Sequence, residues 1–483
     1  GDSALGTATT ATENVAIGGD AMSLVQAGQA ITGVVAIGQN ALKGGATTTD
    51  IDGTIAIGKD SLKALTTGRY NTALGFEAGL VLTELDKNTL IGYQVGKALS
   101  GSAGNGNQTF IGYKAGAAVT SGDANTYIGS RAAELATTGL QNVAVGIAAM
   151  AAADGNEANN TALGAYAMQS SNNDNTSLNV FIGLQAGKGG TGAQSRNVGI
   201  GYLSLGGSGT SAQGNNVAVG YHSGGDSTTA SGSVFLGYFA GHTVTTGNDN
   251  IAIGNDAMNG GVTTGDNNIA IGASAGDALT SGQRNILIGE GTGGSLTTGG
   301  NNVIIGSEQN TGGTQNTTMT IVGWQAGGAI NSNGANGTTA IGYNALGALT
   351  SGGSNTAVGT NAGDALTIGA ENVAVGTNAL GAEVEGVSNT AIGYDALKIA
   401  NAGGSDGGVT TTGNTAIGTQ AGNALTTGKF NTFLGAGTDP SANSGENQTA
   451  IGFGTTGVAD NSVSLGNASV TDVYMSTTAA PAA

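Results

Sequence analysis

The chain has 483 residues, of which 92 are glycine, two are proline and none is cysteine. It carries 31 acidic and 13 basic residues, a formal net charge of −18, yet 39% of its residues are hydrophobic. This composition excludes a disulfide scaffold, a cysteine-bound metal and collagen, and it argues against a disordered tract and against nucleic-acid binding. Because no apolar run reaches about 18 residues, we expect no membrane insertion.

The first predicted element is a short motif, Asn–(Thr/Val/Ile)–Ala–(Ile/Val/Leu)–Gly, that begins at Asn14 and recurs as far as Gly466. There are 26 copies, and 14 of the 25 spacings are 17 residues. Such regular repetition predicts one continuous repeat domain over residues 1–466, followed by a tail over 467–483. We predict that the closing glycines turn a corner that needs a positive φ. They include Gly18, Gly38, Gly58, Gly75, Gly92, Gly254, Gly272, Gly289, Gly306, Gly359, Gly376 and Gly393.

Inside each motif, the Thr/Val and Ile positions are two residues apart and share one face of a strand, while Ala faces the other side. Stacked turns would pair as parallel strands about 4.8 Å apart. The fold class predicted is therefore all-β, a parallel β-solenoid of the left-handed β-roll type. It would have about 26 coils of mostly 17–20 residues and a length of about 120 Å.

The remaining parts of the repeat allow fewer conclusions. The Ala-Leu-Thr segment after each glycine predicts a second short strand, although the i, i+3 spacing of Ala and Leu also permits a brief helical turn. Asparagine opens 18 of the 26 motifs. These asparagines either form a side-chain ladder between turns or only begin a turn, and both interpretations stay open.

A 17-residue coil contains few large apolar side chains, and a small cross-section buries a poor share of its surface. We therefore expect three chains to pack side by side or intertwined as a homotrimer. In this arrangement the small Ala of the motif would allow a sister sheet to approach closely.

Aromatic residues are concentrated at one place in the repeat. Of the 20 aromatic residues, ten directly follow a motif glycine. Residues at the same place in successive coils form a column, which predicts an aromatic ladder that either packs or binds sugar rings. Its members are Phe76, Tyr93, Tyr113, Tyr202, Tyr221, Tyr238, Trp324, Tyr343, Tyr394 and Phe453.

Other candidate residues favour structural roles. His222 and His242 lie one coil apart, and a metal site would need more convergent ligands. Acidic residues follow the motif glycine by two positions at Asp20, Asp60, Asp256 and Asp395. We interpret them as solvated turn residues rather than as a calcium-binding column. We expect no metal, no cofactor and no catalytic residue.

Insertions interrupt the repeat, and a solenoid accommodates insertions as surface loops. These loops are rich in Gly, Asn, Ser and Thr, so they are either receptor contacts or tolerated decoration. They lie at 44–53, 100–108, 152–160, 170–178, 310–318, 328–337, 400–413 and 438–447.

Several copies of the motif resemble the head repeats of YadA-like trimeric autotransporter adhesins: NVAIG at 14–18, NIAIG at 250–254, NTAIG at 389–393 and SVSLG at 462–466. This resemblance implies left-handed β-rolls, three chains around one axis. The longer unit G-x-x-A-G-x-x-L-T-T-G resembles the hemagglutinin-like repeats of phage tail fibres. The closing SLGNASVTDVYMS resembles the segment that precedes a self-cleaving intramolecular chaperone, which implies that such a chaperone is removed after the tail.

We therefore expect a structural and adhesive fibre, the trimeric rod of a phage tail or capsid fibre that mediates attachment to the host cell surface. It would be extracellular, on a virion or a cell surface. Its partners would be other copies of itself, other fibre or virion proteins, and a host glycan or protein receptor. A bacterial trimeric adhesin head is one alternative.

Another alternative, of a different class, is a glycan- or ice-binding β-solenoid. Thr-Thr-Gly triplets could supply a threonine column, at 66–67, 245–246, 297–298 and 426–427. Adjacent threonines on a strand point to opposite faces, so the triplets do not specify a flat double row.

Overall fold

The computed structural model describes residues 3–5, 12–45, 48–101, 106–170, 172–173, 175–189, 192–207, 213–306, 314–401 and 410–473. They belong to two compact units, Gly1–Asn250 and Ile251–Ala483. All regular elements among the described residues are strands, with no helix and hence no helix able to cross a membrane. The prediction of an all-β parallel β-solenoid is confirmed.

The described residues of the first unit form fifteen strands, thirteen of three residues and two of two residues. They are β1 (Val15–Ile17), β2 (Val35–Ile37), β3 (Ile55–Ile57), β4 (Thr72–Leu74), β5 (Thr89–Ile91), β6 (Thr109–Ile111), β7 (Thr126–Ile128), β8 (Val143–Val145), β9 (Thr161–Leu163), β10 (Val180–Ile182), β11 (Gln194–Ser195), β12 (Val198–Ile200), β13 (Gln213–Gly214), β14 (Val217–Val219) and β15 (Val234–Leu236).

The second unit has the same composition of strands. They are β16 (Ile251–Ile253), β17 (Ile269–Ile271), β18 (Ile286–Ile288), β19 (Val303–Ile305), β20 (Thr320–Val322), β21 (Thr339–Ile341), β22 (Thr356–Val358), β23 (Val373–Val375), β24 (Gly386–Val387), β25 (Thr390–Ile392), β26 (Thr410–Thr411), β27 (Thr415–Ile417), β28 (Thr432–Leu434), β29 (Thr449–Ile451) and β30 (Val463–Leu465).

The three-residue strands pair in parallel with the strand one turn away, and equivalent motif positions face each other. Between β17 and β18, for example, Ile269 is opposite Ile286 and Ile271 is opposite Ile288. Because the register never slips between the paired strands, each position of the repeat becomes a column that runs along its unit.

The middle side chain of each three-residue strand points into the chain, and the two flanking side chains point outward. In β17, Ala270 is fully buried, whereas Ile269 and Ile271 are half-buried. The expectation that the motif Ala faces a sister chain is therefore wrong. Its small size instead leaves room for core residues of the same turn, such as Leu279.

The Ala-Leu-Thr segment is neither the second strand nor the helical turn that the sequence predicts. After Gly272 the chain makes a run of turns over 273–278, in which Ser274 and Gly276 adopt left-handed φ angles of +51° and +61°. These alternating conformations cannot extend a strand, yet Thr280 N still donates to Thr297 O one turn away at 2.9 Å. The two short strand pairs, β11–β13 and β24–β26, lie just before the motif instead.

Core volume is conserved by pairing a small with a large side chain inside a turn. Four residues after the motif glycine comes Gly276, and the large Leu279 follows three positions later. A Cβ on Gly276 would lie 3.1 Å from a methyl carbon of Leu279. In the preceding turn the order is reversed, with Met258 first and Gly261 second. Interiors pack densely, so such compensation keeps these two turns similar in size.

Candidate functional site

The motif glycines form a column of corners. The twelve glycines named above have φ between +127° and +157°, a region that residues with a Cβ rarely adopt. Successive turns also approach closely there, since a Cβ on Gly272 would lie 2.4 Å from the carbonyl oxygen of Gly289. Both conformation and contact therefore require glycine at this corner.

The motif asparagines form a buried ladder, which decides between the two interpretations of this position. Asn285 is fully buried, and its Nδ2 donates to Asn268 Oδ1 at 3.0 Å and to Gly299 O at 3.0 Å. Its own Oδ1 accepts from the backbone N and the Nδ2 of Asn302, at 3.2 and 3.0 Å. Each amide thus joins three successive turns with its polar atoms paired.

The ten aromatic side chains that follow a motif glycine lie on the surface, and nine of them are at least 36% exposed. Phe76, Tyr93 and Tyr113 stack with centroids 5.4 Å apart and nearly parallel planes. Tyr202, Tyr221 and Tyr238 form a second stack, with centroids 5.0 and 5.3 Å apart. Trp324, Tyr343, Tyr394 and Phe453 lie at the same position of other turns and are exposed.

A second set of rings lies beside the Tyr202 stack. His222 stacks on Phe239 with centroids 5.3 Å apart, and the His242 ring meets both edge-on at 5.2 and 4.9 Å. His242 Nε2 is 3.7 Å from a carboxylate oxygen of Asp226. Burial, followed by the charge of His242, lowers the pKa of His222.

The acidic residues two positions after the motif glycine are paired rather than simply solvated. Asp60 is buried, accepts from Asn40 Nδ2 at 2.9 Å and forms an ion pair with Lys63. Burial alone would raise the pKa of Asp60, but hydrogen bonds from Asn40 and Lys63 outweigh it and lower the pKa. Asp395 has the same arrangement with Asn378 and Lys398.

Groups of three or more His, Cys, Asp or Glu side chains that could hold a metal ion are absent from the described residues. Carboxylates such as those of Asp60 and Asp395 pair instead with amide and ammonium groups of their own and neighbouring turns.

Three surface cavities each border an insertion. One, of about 500 Å³, has Ser100 and Gly101 in its wall, and another, of about 330 Å³, has Gly328 and Ala329. The third, of about 410 Å³, includes Ala152 and Ser170. Residues 46–47, 102–105, 171, 174, 310–313 and 402–409 of the predicted insertions lie outside the described residues.

Sequence reasoning missed two features that lie outside the motif. An outer row of amides links Asn344, Asn361, Asn378 and Asp395 by side-chain hydrogen bonds of 2.9 to 3.4 Å. Threonine hydroxyls of the Thr-Thr-Gly triplets donate to carbonyls one turn away, for example Thr297 to Thr314 at 3.0 Å. The signal for both was present, since these residue types recur at fixed distances after the motif glycine.

The sequence matches no protein-family model, and no curated protein matches it significantly.

Proposed function

We propose that this chain is a structural and adhesive fibre protein, a homotrimer of left-handed β-rolls in a phage tail or capsid fibre that attaches to a host cell surface. The observation that carries the proposal is the outward face of the strands. It is a regular, uncharged and largely apolar stripe that a single chain leaves half-exposed. The protein would act outside the cell without catalysis or cofactor.

The stripe has the properties of a self-association surface. None of the three-residue strands contains a charged residue. Their outward side chains are partly exposed in the single chain, for example Ile392 at 37%, Ile417 at 39% and Leu434 at 44%. Contiguous apolar patches of this kind usually mark an interface, and burying them contributes about 25 cal/mol per Å². Three copies around one axis would cover the stripe of each unit.

The places where the repeat is interrupted are one part of the surface that attachment would use. The insertions border the three surface cavities, and they are polar and differ from turn to turn. A trimer would present each such loop three times, so that weak contacts with a host glycan or protein receptor add up through multivalency. The head of a bacterial trimeric adhesin would work in the same way and remains the alternative with this architecture.

Adherence of the fluorescently labelled protein to a panel of bacterial strains tests the attachment role. We expect saturable binding to some strains, competed by unlabelled protein. Absence of binding to all strains, or binding that unlabelled protein does not compete, would contradict attachment.

An ice-binding solenoid is a second candidate function, and one observation favours it. The outward face carries threonine at the first strand position and a branched apolar residue at the third, as in Thr339–Ile341, Thr390–Ile392 and Thr415–Ile417. The parallel register arranges these residues as two regular rows. The same face cannot be both buried in a trimer and bound to ice. Thermal hysteresis of a monomeric protein would therefore support this candidate and oppose the fibre.

A further inference from the structure

The rings around His222 form a compact aromatic surface in the first unit. Tyr202, Tyr221 and Tyr238 make one stack, and His222 and Phe239 make a second stack beside it. The two stacks touch edge-to-face, since Tyr238 and Phe239 lie 4.6 Å apart with planes at 87°. Among the described residues, the Phe76–Tyr93–Tyr113 stack has no such second row of rings.

Filling the core does not explain this cluster. The interior of the same turns is occupied by Phe235 and Val244, both fully buried, whereas Tyr221 and Tyr238 are 43% and 52% exposed. His222 and Phe239 stand two residues after a motif glycine, where other turns carry small or polar residues such as Asp256 and Ser274 in the same left-handed conformation. The fold itself therefore does not require rings at this surface position.

Polar groups lie at the border of the rings. The Asp226 side chain is 59% exposed, and its carboxylate oxygen is 3.7 Å from His242 Nε2, too far for a direct hydrogen bond. Gly225 is buried against the two histidines, since a Cβ there would lie 2.7 Å from His242 Cδ2 and 2.9 Å from His222 Nδ1. A carboxylate and an imidazole beside open ring surfaces can pair with the hydroxyl groups of a sugar.

The local charge selects among sugars. Residues 201–250 contain no lysine and no arginine, and their acidic residues are Asp226 and Asp249. A sulfated, phosphorylated or carboxylated glycan would meet no lysine or arginine from these residues and would be repelled by the whole chain, whose net charge is −18. An uncharged pyranose has no such penalty, and its C–H face complements the negative face of an aromatic ring.

We propose that the cluster of Tyr202, Tyr221, Tyr238, His222, Phe239 and His242 binds an uncharged pyranose of a surface polysaccharide, whose hydroxyl groups pair with Asp226 and His242. The site gives the attachment function proposed above a ligand class and therefore rests on that function. It lies on regular turns, apart from the insertions.

Affinity electrophoresis of the full chain through gels containing dextran, mannan or galactomannan tests the site, with heparin and alginate as anionic probes. We expect at least one uncharged polysaccharide to retard the protein. The variant Tyr221→Ala/Tyr238→Ala should bind about tenfold more weakly, equivalent to about 1.4 kcal/mol, because it removes two of the exposed rings. Asp226→Asn should weaken binding less, since it keeps the rings and one acceptor oxygen.

The matched control is Tyr93→Ala/Tyr113→Ala, which removes two exposed rings from the other stack and should leave retardation unchanged. Circular dichroism and sedimentation establish that both double variants keep the wild-type fold. Equal loss in the control, retardation by the anionic probes alone, or no retardation would each overturn the site. Adherence to cells is measured in parallel, so that adherence without retardation contradicts the sugar site only. Retardation without adherence contradicts the attachment function only.

Discussion

In the three-residue strands, the middle and flanking positions have opposite constraints. The middle side chain is buried in the strands after β1, and a change in its size can be compensated by a neighbour. Phe181 takes the place of Ala in β10, and the opposing residue in β12 is Gly199, where a Cβ would lie 2.5 Å from the Phe181 ring. The flanking positions accept Thr, Val, Ile or Leu without such compensation. Packing within a turn and against its neighbours thus determines the residues at the middle position. The residues at the flanking positions are constrained only by what binds to the outer face.

The largest expected effect comes from the corner column. Gly289→Ala would place a Cβ 1.5 Å from the carbonyl oxygen of Gly306, at a φ of +133°. We expect a loss of at least about 4 kcal/mol and fast hydrogen exchange in the adjoining strands. Gly291→Ala is the control two residues away, because its Cβ would meet no atom within 4 Å. Comparable destabilisation by the two variants would contradict the corner's special role.

The second largest effect on stability is expected from the asparagine ladder. Asn285→Ala removes the acceptor of the backbone N and the Nδ2 of Asn302 and the donor to Gly299 O. Asn302 Nδ2 keeps its bond to Asn316 O, so two buried groups lose their partner, and at about 1–3 kcal/mol each we expect a loss of about 2–6 kcal/mol in denaturant unfolding. Asn361→Ala, in the half-exposed outer row, should cost less than about 1 kcal/mol. If the outer variant were as damaging as the inner one, burial would not be the reason for the ladder's strength.

A smaller effect is expected from pH. The His222 ring is partly buried, and its Nδ1 has no hydrogen-bond partner among the described residues. Its pKa is lowered below its ordinary value of 6.5 by burial and then by His242, against the opposing effect of Asp226. A lowered histidine pKa means that the unfolded chain takes up the proton first, so stability falls as pH drops below about 6.5.

The thermal midpoint of wild type should therefore fall more between pH 7 and pH 5 than that of His222→Gln. Burial raises the pKa of Glu157, which acts in the opposite direction in both proteins and cancels in the comparison. Identical pH slopes for the two proteins would show that His222 does not contribute.

The sequence predicts much of this fold because the columns follow from a fixed period. Gly272 and Gly289 could be assigned to one corner, and Asn268 and Asn285 to one column, by counting alone. Periodicity of two residues did not reveal which strand face is inside, since Ala270 and Ile271 are both apolar. The turns around Ser274 were missed because a left-handed angle occurs there in a residue other than glycine, which gives no signal in the sequence. The His222–Phe239 stack required knowing that two different positions of the repeat are neighbours in space.

The central claim is that the outward apolar stripe is covered by two further copies of the chain. Sedimentation equilibrium of the wild-type protein measures this directly, together with Ile392→Asp in the stripe and Asn361→Asp away from it. We predict that the wild-type protein and Asn361→Asp have three times the 46.2 kDa mass of the chain, and that Ile392→Asp dissociates. A monomeric wild-type protein, or a trimer indifferent to a charge at Ile392, would contradict the account.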